Sequence, residues 1–311
     1  MVIILKKVIY IILIFAANLY LASFLAGKLN AKMDLARGYV ATRASGLSYP
    51  FIRIFRFLSK DHKVNFWEFL IFFFSFAIWA VIPLSSNLII VDLDYNLLVG
   101  FLFYIIIIFL NLANASRTEH NYIYSNIAKK TVQVLAFFVP VLFCSASIVL
   151  VNRALSLGEI VNFQYQYWNV IYQPLGFIAV FASILLHFKL LGINSKNPVL
   201  YSENIDKEGL GFGRLITRIS NYAILFFLIV ILNIFYLGGW QQLFFINGEI
   251  MFALKFYIVF VVLILLDKAT PRLSSYDYLI SINGKFLLPM SVVNFLITLV
   301  FFMLRNIYNL T

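Results

Sequence analysis

The composition of this 311-residue chain excludes a soluble globular protein. Hydrophobic residues make up 63% of the sequence, charged residues only 12%, and the net charge is +11. A soluble protein of this length buries too little of its surface to hide so many apolar side chains. We therefore predict a single membrane domain over residues 1–311.

Eight apolar segments follow one another along the chain. Each is near the roughly 20 residues that a helix needs to cross the hydrocarbon core of a bilayer. The runs are continuous rather than alternating, so they predict helices and not barrel strands. The predicted fold class is all-α, a polytopic membrane protein with about eight transmembrane helices. The predicted spans are residues 8–26, 66–84, 97–114, 131–151, 170–190, 216–237, 249–266 and 286–304.

Basic residues are distributed unequally between the two sides of the predicted membrane domain. The loops on one side, counted with the neighbouring span ends, hold 19 of the 24 Lys and Arg residues. By the positive-inside rule these loops are cytoplasmic, and both termini lie on the non-cytoplasmic side. Charge spread over membrane loops also argues against nucleic acid as a partner. The cytoplasmic loops are 28–65, 115–130, 191–215 and 267–285.

The first cytoplasmic loop contains the segment PFIRIFRFLSKD, Pro50–Asp61. Its apolar residues share one helical face, which predicts an amphipathic helix lying in the membrane interface. Such a helix suits the lip of a site for a lipid-soluble ligand. A basic anchor on anionic lipid is the alternative interpretation.

Short motifs at the span ends occur in a fixed order along nearly the whole chain. They are AKMDLARG (Ala31–Gly38), WAVIP (Trp79–Pro83), DLDYNLL (Asp92–Leu98), QPLGF (Gln173–Phe177), LGGW (Leu237–Trp240), KATPRLSSYDYL (Lys268–Leu279) and GKFLLPMSVVN (Gly284–Asn294). With them the chain resembles a divergent member of the family of respiratory NADH dehydrogenase (complex I) subunit 1, also called the H subunit. Each motif is weak alone, but their order together with the eight spans is specific.

The resemblance implies a membrane-arm subunit of NADH:quinone oxidoreductase. Such a protein helps to form the quinone-binding chamber and links the peripheral arm to the proton-translocating arm. The resemblance also implies that the chain is a non-redox subunit of a translocase. Such a subunit has no catalytic residue of its own, and the isolated chain is not expected to be active. The implied partners are the other NADH dehydrogenase subunits, both peripheral and membrane, the quinone substrate, and the lipid bilayer of the cell inner (plasma) membrane, or of the mitochondrial inner membrane if the protein is organellar.

Cofactor chemistry is expected on the partner subunits. The sequence contains one cysteine and neither a metal-ligand spacing nor a phosphate-binding glycine loop in a strand–helix context. We therefore expect no metal and no cofactor on this chain, with NADH, flavin and iron–sulfur clusters bound by other subunits.

The sequence departs from the family pattern where acidic residues are expected within the membrane. The family's Glu-Val-Pro in the fourth span corresponds to Phe138–Pro140, and a glutamate at the end of the fifth span corresponds to His187. The Glu-Tyr of the sixth span is Asn221–Tyr222. Of the 13 acidic residues none lies deep in a predicted span, and Glu68 and Glu249 lie at span ends. The coupling carboxylates are therefore predicted to be lost.

Polar residues near the cytoplasmic loops and within the spans are the candidate site residues. His187 either replaces a titratable glutamate or bonds to a neighbouring loop, and Lys255 either lines a hydrated position or snorkels. Lys129 and Gln133, one helical turn apart, either face the chamber or cap a helix. The candidates for the quinone chamber or coupling are Arg37, Lys129, Gln133, His187, Asn221, Tyr222 and Lys255. Candidates for docking of the hydrophilic subunits are Lys268, Arg272, Tyr276 and Asp277, with charge anchoring as the alternative for the basic ones.

Three other functions are compatible with parts of the pattern. A non-catalytic paralogue serving as an assembly scaffold would explain the missing carboxylates. A membrane subunit of an energy-converting hydrogenase belongs to the same superfamily, but the loop Lys268–Leu279 favours the quinone enzyme. An independent transporter is disfavoured because the sequence shows no internal repeat.

Overall fold

A computed structural model describes residues 2–33, 50, 54–55, 65–85, 88–115, 121–191, 212–242, 246–270 and 276–307. Within these ranges the chain folds into helices joined by short connections. We label them α1 (Val2–Met33), α2 (Phe66–Val81), α3 (Asn96–Ala115), α4 (Asn121–Asn152), α5 (Leu157–Phe163), α6 (Asn169–Tyr172), α7 (Pro174–Leu191), α8 (Phe212–Tyr236), α9 (Gly248–Ala269), α10 (Tyr276–Ile282) and α11 (Leu288–Ile307), with a π-helical turn at Asn283–Leu287.

The predicted class, an all-α polytopic membrane protein, is confirmed. Six helical segments are long and apolar enough to cross a membrane: α1, α3, α4, α8, α9 and the continuous run from α10 to α11. The shorter apolar helices α2 and α7 occupy the other two predicted spans. The predicted interfacial helix over residues 50–61 lies almost entirely outside the described residues.

Several helix boundaries differ from the predicted spans. Helix α4 begins at Asn121, ten residues before its predicted start, so part of the predicted loop 115–130 is helical. Helix α1 continues to Met33, seven residues beyond its predicted end, through the more polar segment GKLNAKM, which contains no proline. The fifth span begins at Pro174 and not at residue 170, since proline fits the first turn of a helix but interrupts its interior. The last helical run begins at Tyr276, ten residues before its predicted start, and includes the π-helical turn.

Helix α8 is the centre of the bundle. Every residue from 223 to 236 is buried by other parts of the protein, and α8 packs against α2, α7 and α9. Helix α1 lies at the outside and contacts mainly α9, with Ile9, Tyr10 and Leu13 each at least half exposed. The lipid-facing surface of α1 is therefore much larger than that of α8.

Proline and asparagine side chains explain how α4 and the π-helical turn fit together. Pro140 lies inside α4, and because proline has no N–H, the carbonyl of Ala136 one turn earlier loses its helical partner. The side-chain amide of Asn283, the first residue of the π-helical turn, donates to that carbonyl over 2.9 Å. A backbone carbonyl that would otherwise be unpaired within the membrane is thereby satisfied.

This contact predicts a non-additive pair of substitutions. Asn283→Ala should lower the free energy of unfolding by about 1 kcal/mol, because it leaves the Ala136 carbonyl without a donor. In a Pro140→Ala background the same change should cost clearly less, since the helix then supplies its own N–H. Unfolding in mixed detergent micelles measures both values.

Gly284→Ala is the matched control for the Asn283 substitution. Gly284 is the next residue of the same turn, and a Cβ built on it meets no other atom within 4 Å. It should therefore be close to neutral. Equal costs of Asn283→Ala in both backgrounds would contradict the proposed compensation.

Candidate functional site

A buried tyrosine–histidine pair joins α3 to α7. The hydroxyl of Tyr104 lies 2.6 Å from Nε2 of His187, and Nδ1 of His187 lies 2.8 Å from the carbonyl oxygen of Ser183. A carbonyl oxygen only accepts, so Nδ1 carries the proton, and a neutral imidazole then accepts the Tyr104 hydroxyl at Nε2. We assign this tautomer because both hydrogen bonds are then made without a further partner.

Aromatic rings from α4 and α8 enclose the pair. The ring of Phe138 lies 4.5 Å from that of Tyr104, and the ring of Phe227 lies 5.9 Å from it. Phe137 packs edge-on against His187 with a ring separation of 5.8 Å. Tyr104 and His187 are almost completely buried as a result. In such low-dielectric surroundings a hydrogen bond is strong, and the loss of either partner is costly.

Two of the positions where the family resemblance implies glutamates meet at this pair. His187 corresponds to the glutamate of the fifth span and bonds to Tyr104, while Phe138 corresponds to that of the fourth span and stacks against the same ring. The partner of His187 is therefore a side chain of α3, not a neighbouring loop as the alternative interpretation supposed. Tyr104 was not among the predicted site residues, because its partner is 83 residues away along the chain.

The other chamber candidates lie at varying distances from the pair. Gln133 is fully buried one turn before Phe137 on α4, whereas Lys129, a further turn away, is exposed. Asn221 and Tyr222 are half-buried on α8. Arg37 lies outside the described residues. The structure thus brings Gln133 onto the helix face that contacts His187, and it leaves Lys129 at the surface.

Lys255 lies at the opposite end of the bundle from His187. Its ammonium group donates to the carbonyls of Leu237 and Gly239 over 2.5 and 3.1 Å, and it lies 4.6 Å from the ring of Trp168. These carbonyls follow the last turn of α8, where a cation complements the partial negative charge of the helix end. Lys255 is a cap for α8, and its amine is satisfied by protein groups.

Two side-chain amides complete this end of α8. Gln164 donates to the carbonyl of Ile234 over 2.7 Å and accepts from the N–H of Gly238 over 3.1 Å. Asn169 donates to the carbonyl of Phe235 over 2.9 Å. Gly238 has a φ of +70°, which an L-residue rarely adopts, and this explains why the LGGW motif follows the span. The amides were not among the predicted residues, although the glycine pair marks the turn they hold.

Lys189 caps α9 at the end of the bundle that contains His187. Its amine forms an ion pair of 3.2 Å with Asp267 and donates to the carbonyls of Asp267 and Thr270 over 3.2 and 2.8 Å. These groups lie in and just after the last turn of α9, which leads into the KATPRLSSYDYL loop. Lys268 is half-buried beside them. Tyr276 and Asp277 begin α10, and their side chains, like all of Arg272, lie outside the described residues.

The carboxylate of Glu68 lies at the beginnings of two helices, α2 and α8. A carboxylate oxygen of the buried Glu68 accepts from the backbone N–H of Asn65 over 3.1 Å and so caps α2. The same oxygen would lie 2.5 Å from a Cβ built on Gly213, so it also faces the first turn of α8. A carboxylate complements the positive end of a helix. Within the described residues no group of three His, Cys, Asp or Glu side chains is placed to hold a metal.

The fold and these sites define a polytopic helical membrane protein in which several buried polar side chains bond across helices. The family model described as NADH dehydrogenase matches residues 6–299, and the chain therefore belongs to that family. Similar proteins include the H subunit of the NADH-quinone oxidoreductase of Geobacillus sp. (strain WCH70), 27% identical over 234 residues that cover 72% of this chain and 68% of the relative. The corresponding H subunit of Geobacillus kaustophilus (strain HTA426) is 28% identical over 236 residues, covering 73% and 69%.

The resemblance identified from the span-end motifs is thus confirmed. The H subunit of the Bacillus cereus (strain B4264) enzyme is similar to the same extent, 26% identical over 234 residues, with 72% of this chain and 68% of the relative covered. At this level of identity the chain is a divergent relative of all three.

The cap formed by Lys189 predicts that loss of its amine lowers the stability more than loss of the Asp267 carboxylate alone. Lys189→Met should lower the free energy of unfolding by about 2 kcal/mol, because it leaves two carbonyls and a carboxylate without their donor. Asp267→Asn should cost below about 1 kcal/mol, since the amine keeps its two carbonyls and an amide oxygen. Thermal unfolding in detergent compares them, with the exposed Lys6→Met as control. Equal losses would show that the ion pair, not the helix cap, is the main contribution.

Proposed function

We propose that the protein is a membrane-arm subunit of an NADH:quinone oxidoreductase, which helps to form the quinone chamber and links the peripheral arm to the proton-translocating arm. The observation that carries this proposal is the family match over residues 6–299 with a helix at each of the eight predicted spans. In the proposed complex this chain holds no redox group. NADH, flavin and iron–sulfur clusters belong to its partners, and quinone is the substrate.

The proposed chamber lies at the end of the bundle that contains His187. This end adjoins the loops 115–130 and 191–215, which the charge distribution predicts to be cytoplasmic. Gln133 and the Tyr104–His187 pair would support its wall, with Lys129, Asn221 and Tyr222 nearer its mouth and Arg37 in the first loop. His187 and Tyr104 are too buried to contact a quinone directly, so we propose that they position α3 and α7.

The proposed docking site for the hydrophilic subunits is the loop after α9. Lys189 fixes the end of α9 through Asp267 and Thr270, at the point where this loop begins. Lys268, Arg272, Tyr276 and Asp277 lie within or beside that segment and would make the contacts. We further propose a multi-pass location in the cell inner membrane with both termini on the non-cytoplasmic side.

Proton coupling in this protein would differ from that of its relatives. Two of the positions expected to carry glutamates, His187 and Phe138, instead form a neutral hydrogen bond and an aromatic contact. Glu68 and Asp267 bond to groups at helix ends. We propose that the chain keeps the framework of the quinone chamber without a carboxylate relay through the described helices. The same observation favours the second candidate function, a non-catalytic paralogue that supports assembly.

Purification tests whether the chain is a subunit of the complex. We expect the tagged protein, isolated from its native membrane in a mild detergent, to bring with it the peripheral subunits and NADH:quinone reductase activity. Recovery of the subunits without that activity would favour the assembly scaffold. Failure to recover the peripheral subunits would overturn both proposals.

Substitution of Tyr104 tests whether the chain supports quinone reduction. Tyr104→Phe removes the hydroxyl that holds His187, and a shift of the chamber wall should lower kcat for quinone reduction by about tenfold. Electron transfer from NADH to an artificial water-soluble acceptor should be unchanged, because it does not need the chamber. Tyr95→Phe, at a half-exposed tyrosine just before α3, is the control. Unchanged quinone reduction in an assembled Tyr104→Phe complex would contradict the positioning role.

A further inference from the structure

A cavity of about 230 Å³ lies between α1, α2, α8 and α9. It is at the end of the bundle that carries the amino terminus, and neither Tyr104 nor His187 lines it. Helix α1 contributes residues from Tyr10 to Asn18, and the end of α2 contributes Trp79. The cavity is therefore separate from the proposed quinone chamber.

The shape of the cavity fits a narrow apolar ligand. The stretch of α1 that lines it runs from Tyr10 to Asn18, which corresponds to about 12 Å along the helix. Asn18, at the end of this stretch, accepts a hydrogen bond from the hydroxyl of Tyr257 over 2.5 Å. The volume lies below the roughly 300–1,000 Å³ of sites for drug-sized molecules. The first part of a single acyl chain, extended along α1, suits this length and volume.

The rim of the cavity is polar. Glu249, in the first turn of α9, lines it with an exposed carboxylate that has no ion-pair partner among the described residues. The cavity wall also contains two buried donors, the indole N–H of Trp79 and the hydroxyl of Ser85, for which the described part of the chain offers no hydrogen-bond partner. Buried donors without an acceptor are costly. The cavity thus offers a carboxylate that can bind a cation, and two hydrogen-bond donors that can bind an oxygen-rich group.

We propose that this cavity binds one acyl chain of a phospholipid whose headgroup carries a primary amine, with the ammonium group on Glu249. The bilayer supplies such a lipid directly, because α1 faces it with Ile9, Tyr10 and Leu13 exposed. A primary ammonium offers three N–H donors to the carboxylate, as a lysine does, whereas a quaternary choline offers none. Ester and phosphate oxygens at the same level are acceptors for the nearby donors.

Lipid retention by the purified protein tests the proposal. The full chain, in its complex, is reconstituted into nanodiscs with equal amounts of phosphatidylethanolamine and phosphatidylcholine and then released for native mass spectrometry. We expect one phosphatidylethanolamine to be retained in preference to phosphatidylcholine. Glu249→Gln should reduce that preference about fivefold, since it removes a charge-assisted hydrogen bond. Glu159→Gln, at an exposed carboxylate in the first turn of α5, should leave it unchanged.

A second pair of variants tests the acyl-chain site. Ala253 lines the cavity, and Ala253→Phe should fill it and abolish retention. Ile250→Phe, on an exposed position one turn earlier on α9, is the size-matched control. Lipid retention unaffected by Ala253→Phe would overturn the proposal, as would equal retention of the two lipids in the unaltered protein. Retention of a quinone in place of lipid, lost in Ala253→Phe, would also overturn it by identifying a different occupant.

Discussion

The structure depends on one constraint, that backbone polar groups inside a bilayer must find partners within the protein. In the interior of a helix the backbone groups bond to one another, but the groups at helix ends and the carbonyl one turn before a proline lack a helical partner. Here side chains from other helices supply what is missing. Lys255 and Gln164 satisfy carbonyls at the end of α8, Lys189 satisfies those at the end of α9, and Asn283 satisfies the one released by Pro140. These contacts tie the helices to one another as well as completing each of them, so the short helix α7 and the loops beside α8 are fixed in place.

The same contacts explain how buried charge is managed. Lys189 and Lys255 direct their amines to carbonyl oxygens at helix ends, and Glu68 directs its carboxylate to helix beginnings. Each charge thus faces a helix dipole of the opposite sign. Deeper in the bundle the described polar contact between α3 and α7 is the neutral pair of Tyr104 and His187. A membrane domain built in this way keeps its buried charges at helix ends, so its framework would not depend on carboxylates at the acidic positions that the family resemblance implies.

Much of the fold could be predicted from the sequence because hydropathy alone marks a span. The eight predicted segments are helical for that reason, and Pro174 explains the start of α7 better than hydropathy does. The candidate site was harder to predict from the sequence. The importance of His187 was predicted from its alignment with an acidic position, but its partner Tyr104 is apolar in most of its surface and lies in a run that reads only as a span. Lys255 was recognised as unusual, yet its role as a cap depends on where α8 ends, which no local pattern specifies.

The pairing of Pro140 with Asn283 also has a consequence for the history of the sequence. Pro140 leaves the carbonyl of Ala136 without a helical donor, and the side-chain amide of Asn283 supplies one. A lineage that replaced the proline first would lose nothing essential, because an ordinary residue restores the hydrogen bond of the helix and makes the amide dispensable. A lineage that replaced the asparagine first would pass through a less stable intermediate. The two positions, 143 residues apart in the chain, should therefore change in a preferred order, and relatives with the asparagine but without the proline should outnumber those with the reverse combination.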